Sequence, residues 1–511
     1  MDKAAFVDSI RNSYTFNASS ICLGAGVLNG EILPDAKVNL ALRMMNRHGL
    51  VTGATGSGKT RTLQLIAEQL SAAGVPVFMP DIKGDLSGLA KAATENEKLL
   101  ERANAIGIPY KPDGFPVELY SLSGKCGAQM RATITEFGPV LLSKILDLNE
   151  VQTGVMMILF KYADDKGLPV VDLRDLKKLL AYLSDGPGAA EIKGEYGTIS
   201  SSTSGTILRK IVALEQEGIE HLFGERSFDI NDLFAKIDGR GVISLLNLSD
   251  VQDKPRVFST YMLALLAELY EKLPEVGDLD KPKLVFFFDE AHLLFKDASD
   301  AFMEQIDQVI RLIRSKGVGI FFCTQLTQDV PSSVLSQLGN RVHHVIRAFT
   351  PNDVKALKET IKTFPHSEYY DMQQQFTQLG TGQAFITVLN EKGIPTETVV
   401  THLRPPASVM GPLDESEYKS LMTSSDLYRK YQEQIDPESA FEVLSRKMEQ
   451  AARTEEEPAP RRTSRRAEKS TLEKVLQSSA ARQVGREVVR GIFGMLFGKT
   501  TRSRSRSRSI F

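Results

Sequence analysis

Eight consecutive residues, Gly53-Ala54-Thr55-Gly56-Ser57-Gly58-Lys59-Thr60, combine three glycines with a lysine and a hydroxyl. That set of groups suits phosphate. Glycine reaches positive φ without a Cβ penalty, so a glycine-rich turn can aim several backbone N–H groups at one anion. A helix pattern follows at Leu63, Leu65, Ile66 and Leu70, and its N-terminal end adds partial positive charge and free donors. Lys59 is then expected to reach the β- and γ-phosphates of a nucleotide, and the Thr60 hydroxyl to ligate Mg²⁺. Gly53 through Thr60, with Arg61 beside them, form the expected ATP cradle.

A second constellation ends an apolar strand, Lys283-Leu284-Val285-Phe286-Phe287-Phe288, with Asp289-Glu290-Ala291-His292. Acids at the carboxyl end of a buried strand sit where α/β sheets bind ligands. Asp289 is expected in the Mg²⁺ shell, and Glu290 as the group that orients and deprotonates the attacking water. The bland alternative is an acid pair capping the next helix. His292 divides evenly between a coupling role and packing. Gln325 ends another apolar strand, and its amide can sense the γ-phosphate or be a polar residue leaving the core. Asp81, Lys83 and Asp85 read either as a solvated turn or as secondary charges of the site or of a subunit contact. Phosphoryl transfer gains roughly 10³ to 10⁵ from an arginine aimed at the γ-phosphate. Among Arg311, Arg314, Arg341 and Arg347, the favoured candidates are Arg314 and Arg341.

These groups need a sheet to hold them. His48 to Thr52, Val75 to Met79, Gly241 to Leu246, Leu284 to Phe288 and Gly319 to Thr324 read as buried strands separated by helices, including one near Pro255 to Leu273 and one from Phe302 to Ser315. Strands alternating with helices predict an α/β, doubly wound and mainly parallel sheet. Further strands are expected at Arg341 to Phe349, Gln383 to Leu389 and Thr398 to Leu403. The expected organisation is a short β-containing segment over 1–47, a core over 48–90 and 235–406, and a mainly helical insertion over 91–234. Within the insertion a strand is expected at Val117 to Tyr120, and Ser200 to Ser204 reads as a loop. C-terminal helices follow over 407–452, with N-caps predicted at Asp414 and Asp436, and then a disordered linker and basic tail over 453–511.

The 511 residues are 42% hydrophobic and 25% charged, the balance of a globular protein. Three cysteines, Cys22, Cys126 and Cys323, form neither a metal spacing nor a disulfide framework. No signal peptide or apolar run of spanning length is evident, so a cytoplasmic protein is expected. Net charge is −2, yet Arg461 to Phe511 carries fourteen basic and three acidic side chains, which leaves the rest at −13. Any grip on nucleic acid therefore falls to local patches. Within 471–511, Arg482, Arg486 and Arg490 oppose Val484, Val488 and Ile492, as in a basic helix that meets a membrane surface or a partner. An Arg-Ser repeat ends the chain.

Taken together, the loop Gly53–Thr60 with its lead-in Asn46-Arg47-His48-Gly49, the turn Asp81-Ile82-Lys83-Gly84-Asp85, the pair Asp289-Glu290, and Thr324-Gln325 resemble the HerA/FtsK superfamily of motor ATPases, most nearly its bacterial HerA-like group. The resemblance implies a RecA-like core with an extra strand, Gly319 to Thr324, between the phosphate-loop and acid-pair strands, and Gln325 beside the γ-phosphate. It also implies a homo-oligomeric, usually hexameric ring, sites completed by a neighbour's arginine, and translocation of double-stranded DNA. Residues 1–47 are too short for the full N-terminal barrel of DNA-end-processing members. A membrane-surface or protein-remodelling ATPase therefore stays open beside the DNA motor, as does a secretion-type ATPase. A small-molecule kinase fits worst, given the large insertion and the placement of Glu290.

Overall fold

The computed structural model describes residues 2–456 except 278, 296–299 and 434. The basic tail over 471–511 and nearly all of the expected linker lie outside the described residues.

The strands are β1 (Ser20–Leu28), β2 (Glu31–Ala41), β3 (Gly49–Thr52), β4 (Val77–Asp81), β5 (Val117–Ser121), β6 (Ala128–Gln129), β7 (Lys236–Ile237), β8 (Arg240–Gly241), β9 (Ile243–Asn247), β10 (Leu284–Phe288), β11 (Val318–Thr324), β12 (Asn340–His343), β13 (Gln383–Thr387) and β14 (Val399–Leu403). Twelve of them form one sheet in the order β2-β1-β14-β13-β12-β3-β11-β10-β4-β9-β5-β6, and β7 with β8 forms a separate small ribbon. From β12 to β6 neighbours run parallel, while β13, β14, β1 and β2 extend the sheet antiparallel. The expected extra strand is present: β11 lies between β3 and β10.

The central strands are apolar throughout because both faces are covered. Every residue of β3, β4, β9, β10 and β11 is buried. Alternate side chains feed two cores. Phe78, Phe286, Phe288 and Phe322 enter one, and Val77, Phe287 and Phe321 enter the other. Phe78 stacks on Phe286 with ring centroids 4.4 Å apart, and Phe287 meets Phe321 at 5.5 Å on the opposite face.

The helices that matter below are α1 (Lys3–Tyr14), α2 (Lys59–Ala72), α3 (Glu97–Ala105), α4 (Ile134–Ile145), α5 (Glu150–Asp165), α6 (Leu173–Ser184), α7 (Gly188–Ile192), α8 (Ser201–Gln216), α9 (Pro255–Lys272), α10 (His292–Phe295) and α11 (Asp300–Ile313). The apolar faces of α4, α5, α6 and α8 share a core with α9, α11 and one face of the sheet, and β5 and β6 of the same stretch build its edge.

Several local expectations are corrected. Ser200 does not lie in a loop but caps α8, accepting from the Thr203 N–H at 3.2 Å. The last described helix, Ala440–Glu456, is not capped at Asp436: Ser439 precedes it, donating its N–H to Glu442 Oε2 at 2.9 Å and its hydroxyl to Asp175 Oδ1 at 2.6 Å. That helix also runs past 453, where the linker was expected to begin. Asp414 does cap its helix, Glu415–Ser424, accepting from Glu417 N–H at 2.8 Å. The N-terminal segment adds α1, which the sequence reading did not anticipate. Tyr14 seats it, donating to the carbonyls of Ile386 at 3.0 Å and Glu397 at 2.7 Å. Among the described residues no helix is long and apolar enough to cross a membrane.

Candidate phosphate-loop active site

The loop Gly53–Gly58 joins the carboxyl end of β3 to the first turn of α2. Gly53, Gly56 and Gly58 take φ values of 146°, 75° and 112°, which is why side chains are absent there. At Gly53 space is also lacking, since a Cβ would sit 2.5 Å from the His344 Cβ. The loop is pinned from outside: Ala54 N–H donates to the Val345 carbonyl at 2.9 Å, and Gly382 N–H to the Ser57 carbonyl at 3.2 Å. Thr62 Oγ1 donates to the Gly58 carbonyl at 3.2 Å and lies 2.9 Å from His344 Nε2. The first turn of α2 leaves its N–H groups without intrahelical acceptors, directed out of the helix end. Lys59 Nζ folds over the loop onto the carbonyls of Gly53 at 2.7 Å and Ala54 at 3.2 Å. Ser57 Oγ is buried with no partner. Thr60 is half-buried in the first turn of α2, and Arg61 beside it lies 3.9 Å from Asp85.

Sheet register brings the other groups to this edge. β11 pairs with β3 through Thr324 and Thr52, so Gln325 leaves its strand beside Gly53, and it is exposed. β10 pairs with β11 through Phe288 and Phe322, which sets Asp289 next to Cys323. Ala291 N–H donates to the Cys323 carbonyl at 2.8 Å and turns the chain into α10. Burial raises the Asp289 carboxyl above its ordinary range, partly offset by the Cys323 thiol, and burial with Asp289 beside it drives that thiol well up. Glu290 holds φ at 50°. Its Oε1 accepts from Lys83 Nζ at 3.0 Å, while Oε2 is buried without a hydrogen bond, 3.5 Å from His292 Nδ1.

The turn after β4 is no solvated bend. Asp81 is buried, and its oxygens accept the N–H groups of Gly84 at 2.8 Å, Asp85 at 3.1 Å and Leu86 at 3.0 Å. Burial still pushes its carboxyl up to about 6. This fixed turn presents Lys83 to Glu290 and Asp85 to Arg61.

The two arginines part from this cluster. Arg314 lies exposed just before the amino end of β11, at the edge of the sheet opposite the phosphate loop. Arg341 spends its guanidinium on three carbonyls, of Leu338 at 3.2 Å, Thr363 at 2.9 Å and Leu335 at 3.4 Å. It ties the chain together there and is not brought to the subunit's own loop.

His48 opens β3 as a structural histidine, with Nε2 2.8 Å from the Ile310 carbonyl and Nδ1 accepting from Ile320 N–H at 3.0 Å. Burial pushes it down to about 4. The sequence reading missed His343 and His344, both buried behind the loop, and Arg102 of α3, whose Nε donates to the Leu403 carbonyl at 2.7 Å and whose guanidinium also reaches the Gly382 carbonyl. Two adjacent histidines within the strand expected over Arg341 to Phe349 were the only available signal.

His48 makes stability pH-dependent. The unfolded imidazole titrates near 6.5 and the folded one near 4, so the unfolded chain binds more protons in that window, and the stability held above pH 6.5 is lost as pH falls. His48→Asn keeps a side-chain donor and acceptor, at a position whose φ of 57° and ψ of 172° strain any residue but glycine, so that strain is common to both proteins. Its stability deficit relative to the parent is expected to shrink on acidification, by at most about 1.4 kcal/mol per pH unit. Chemical denaturation of both proteins from pH 7 to 4.5 checks this. A deficit independent of pH would contradict a neutral buried His48.

A parallel sheet with a glycine-rich phosphate loop after one strand, an acid pair after a second and one strand between them defines a P-loop ATPase. The chain belongs to the HerA-like helicase C-terminal family, which matches residues 27–472. It is 23% identical over 368 residues to the DNA double-strand break repair helicase HerA of Sulfurisphaera tokodaii, covering 69% of this chain and 64% of that one. It is 26% identical over 376 residues to a probable helicase of Methanocaldococcus jannaschii, covering 70% and 66%. The chain thus spans about two thirds of the length of these curated relatives. A solved plasmid coupling protein, TrwB in complex with ADP and Mg²⁺, is similar at 14% identity with a TM-score of 0.49, covering 79% of this chain and 94% of that one.

Proposed function

We propose that the chain is an ATP-driven motor that assembles as a ring, hexameric by analogy with its superfamily, and moves along duplex DNA. The observation that carries the reading is the convergence of Lys59, Thr60, Asp289, Glu290 and Gln325 at one edge of three adjacent strands.

Lys59 trades the two carbonyls it now holds for the β- and γ-phosphates, and the loop N–H groups bind the same oxygens. The Thr60 hydroxyl and the Asp289 carboxylate fit Mg²⁺, since both are oxygen ligands and the buried Asp289 gains from a cation beside it. When bound, Mg²⁺ neutralises charge on the phosphates. Glu290 takes the proton from the attacking water, and Gln325 orients that water or the γ-phosphate through its amide. Arg314 is exposed at the far edge of the sheet, whereas Arg341 is committed to carbonyls, which favours Arg314 as the arginine acting across a subunit boundary.

Steady-state hydrolysis with and without linear duplex DNA, over a salt series, tests the substrate. A DNA motor is expected to be stimulated severalfold, with the stimulation collapsing between about 50 and 200 mM salt as counterions compete for the phosphates. Hydrolysis that ignores DNA at every salt would sink duplex translocation and favour a remodelling ATPase working at a membrane surface or on a protein.

A further inference from the structure

The charged turn after β4 has a task beyond holding the loop in shape. We propose that Lys83 is a positioning residue that latches Glu290 away from the attacking water until a nucleoside triphosphate fills the phosphate loop. This rests on the hydrolytic role proposed for Glu290.

One carboxylate oxygen is held by Lys83 and the other is shut off from solvent in the structure. Lys83 Nζ holds Oε1 at 3.0 Å, and Oε2 is buried without a hydrogen bond, 3.5 Å from His292 Nδ1. The Lys83 ammonium occupies one lone pair of Oε1 and fixes the carboxylate in place, and Oε2 reaches water only after a change of conformation. Glu290 stands at φ 50°, a region a glutamate occupies only at a cost. The latch has a firm base, because three N–H groups of the turn are clamped by the Asp81 carboxylate. Lys83 itself has a side chain 54% exposed, which leaves it free to swing.

The same turn reports on the phosphate loop. Asp85 lies 3.9 Å from Arg61, the residue after Thr60 in the first turn of α2. Phosphate loop, turn and Glu290 are therefore linked through two ion pairs that share one rigid segment. A bound triphosphate carries more negative charge than one carboxylate and competes for the Lys83 ammonium. Glu290 is then released with its oxygens free, so the base is available when substrate is present and withheld when it is not.

Two measurements test the latch. The first compares ATP hydrolysis without DNA by the parent, Lys83→Ala, Lys83→Arg and Glu290→Gln proteins. Lys83→Ala is expected to raise kcat about 5-fold with KM little changed, the factor available from a partly exposed ion pair. Lys83→Arg should keep the parent rate. The second is zero-length carbodiimide cross-linking of the full chain. The Lys83 amine attacks the carbodiimide-activated Glu290 carboxyl and expels a urea, forming an amide, with the water lost between the two side chains taken up by the carbodiimide. The 83–290 cross-link is expected in the nucleotide-free protein and should fall severalfold with a non-hydrolysable ATP analogue and Mg²⁺. A Lys83→Ala kcat at or below the parent value, or a cross-link absent or indifferent to the analogue, would overturn the latch. If the parent does not hydrolyse ATP, or if hydrolysis survives Glu290→Gln, the proposed function fails, and the cross-link still decides whether Lys83 holds Glu290.

Discussion

Lys59→Ala is expected to abolish ATP hydrolysis, lowering kcat/KM by at least about 10³, which corresponds to roughly 4 kcal/mol of transition-state stabilisation. The size follows from what Lys59 alone supplies. The loop and the first turn of α2 offer N–H dipoles, but the ammonium is the full charge placed over the loop, already gathered onto the carbonyls of Gly53 and Ala54. Phosphoryl transfer leaves the protein little covalent chemistry to do, so catalysis rests on position and charge. Nucleotide affinity should fall with the rate, because Lys59 grips ground state and transition state alike. The fold should survive: Lys59 is half-buried at a helix start, and neither carbonyl it bonds belongs to a buried strand. Hydrolysis, nucleotide titration and a melting curve on the same sample separate these effects. An active Lys59→Ala protein would mean that the loop is not the nucleotide site.

What could be read from the sequence was chemistry carried by contiguous residues. The phosphate loop is legible because one anion must be met by neighbouring N–H groups, which confines the signal to Gly53–Thr60. Strands β4, β10 and β11 are legible because burial on both faces leaves unbroken apolar runs. The fold class, and β11 between the loop and acid strands, followed from those runs and the family resemblance together. The partnerships that finish the site were hidden, since they join residues far apart in the chain. Thr62 and His344 are 282 residues apart, and Lys83 and Glu290 are 207 apart. No local pattern announces such a pair. Arg341 shows the same limit: an arginine after the acid strand matches the chemistry of phosphate, and nothing local announces that its guanidinium meets the carbonyls of Leu335, Leu338 and Thr363. Ser200 misled through propensity, because serine-rich stretches suit loops and helix N-caps equally, and tertiary packing chose the cap.

Those hidden partnerships set what Glu290→Gln should do. Glutamine keeps the shape and size of the side chain and loses the ability to take a proton. A positioned general base contributes about 10² to 10⁴ to rate, and kcat is expected to fall by that factor. Nucleotide binding should stay near the parent value, which distinguishes this variant from Lys59→Ala. Stability should change little, because the ion pair lost with Lys83 is exposed on the lysine side and such pairs contribute about 1 kcal/mol or less. The same geometry predicts strong non-additivity. Lys83→Ala can accelerate hydrolysis only by freeing the Glu290 carboxylate, so in the Glu290→Gln background it should leave the residual rate unchanged. A double-mutant cycle on kcat measures that coupling. If Lys83→Ala speeds both proteins equally, Lys83 acts on some other group. If Glu290→Gln retains near-parent kcat, the water is activated elsewhere at this edge, and Asp289 is the next carboxylate to replace.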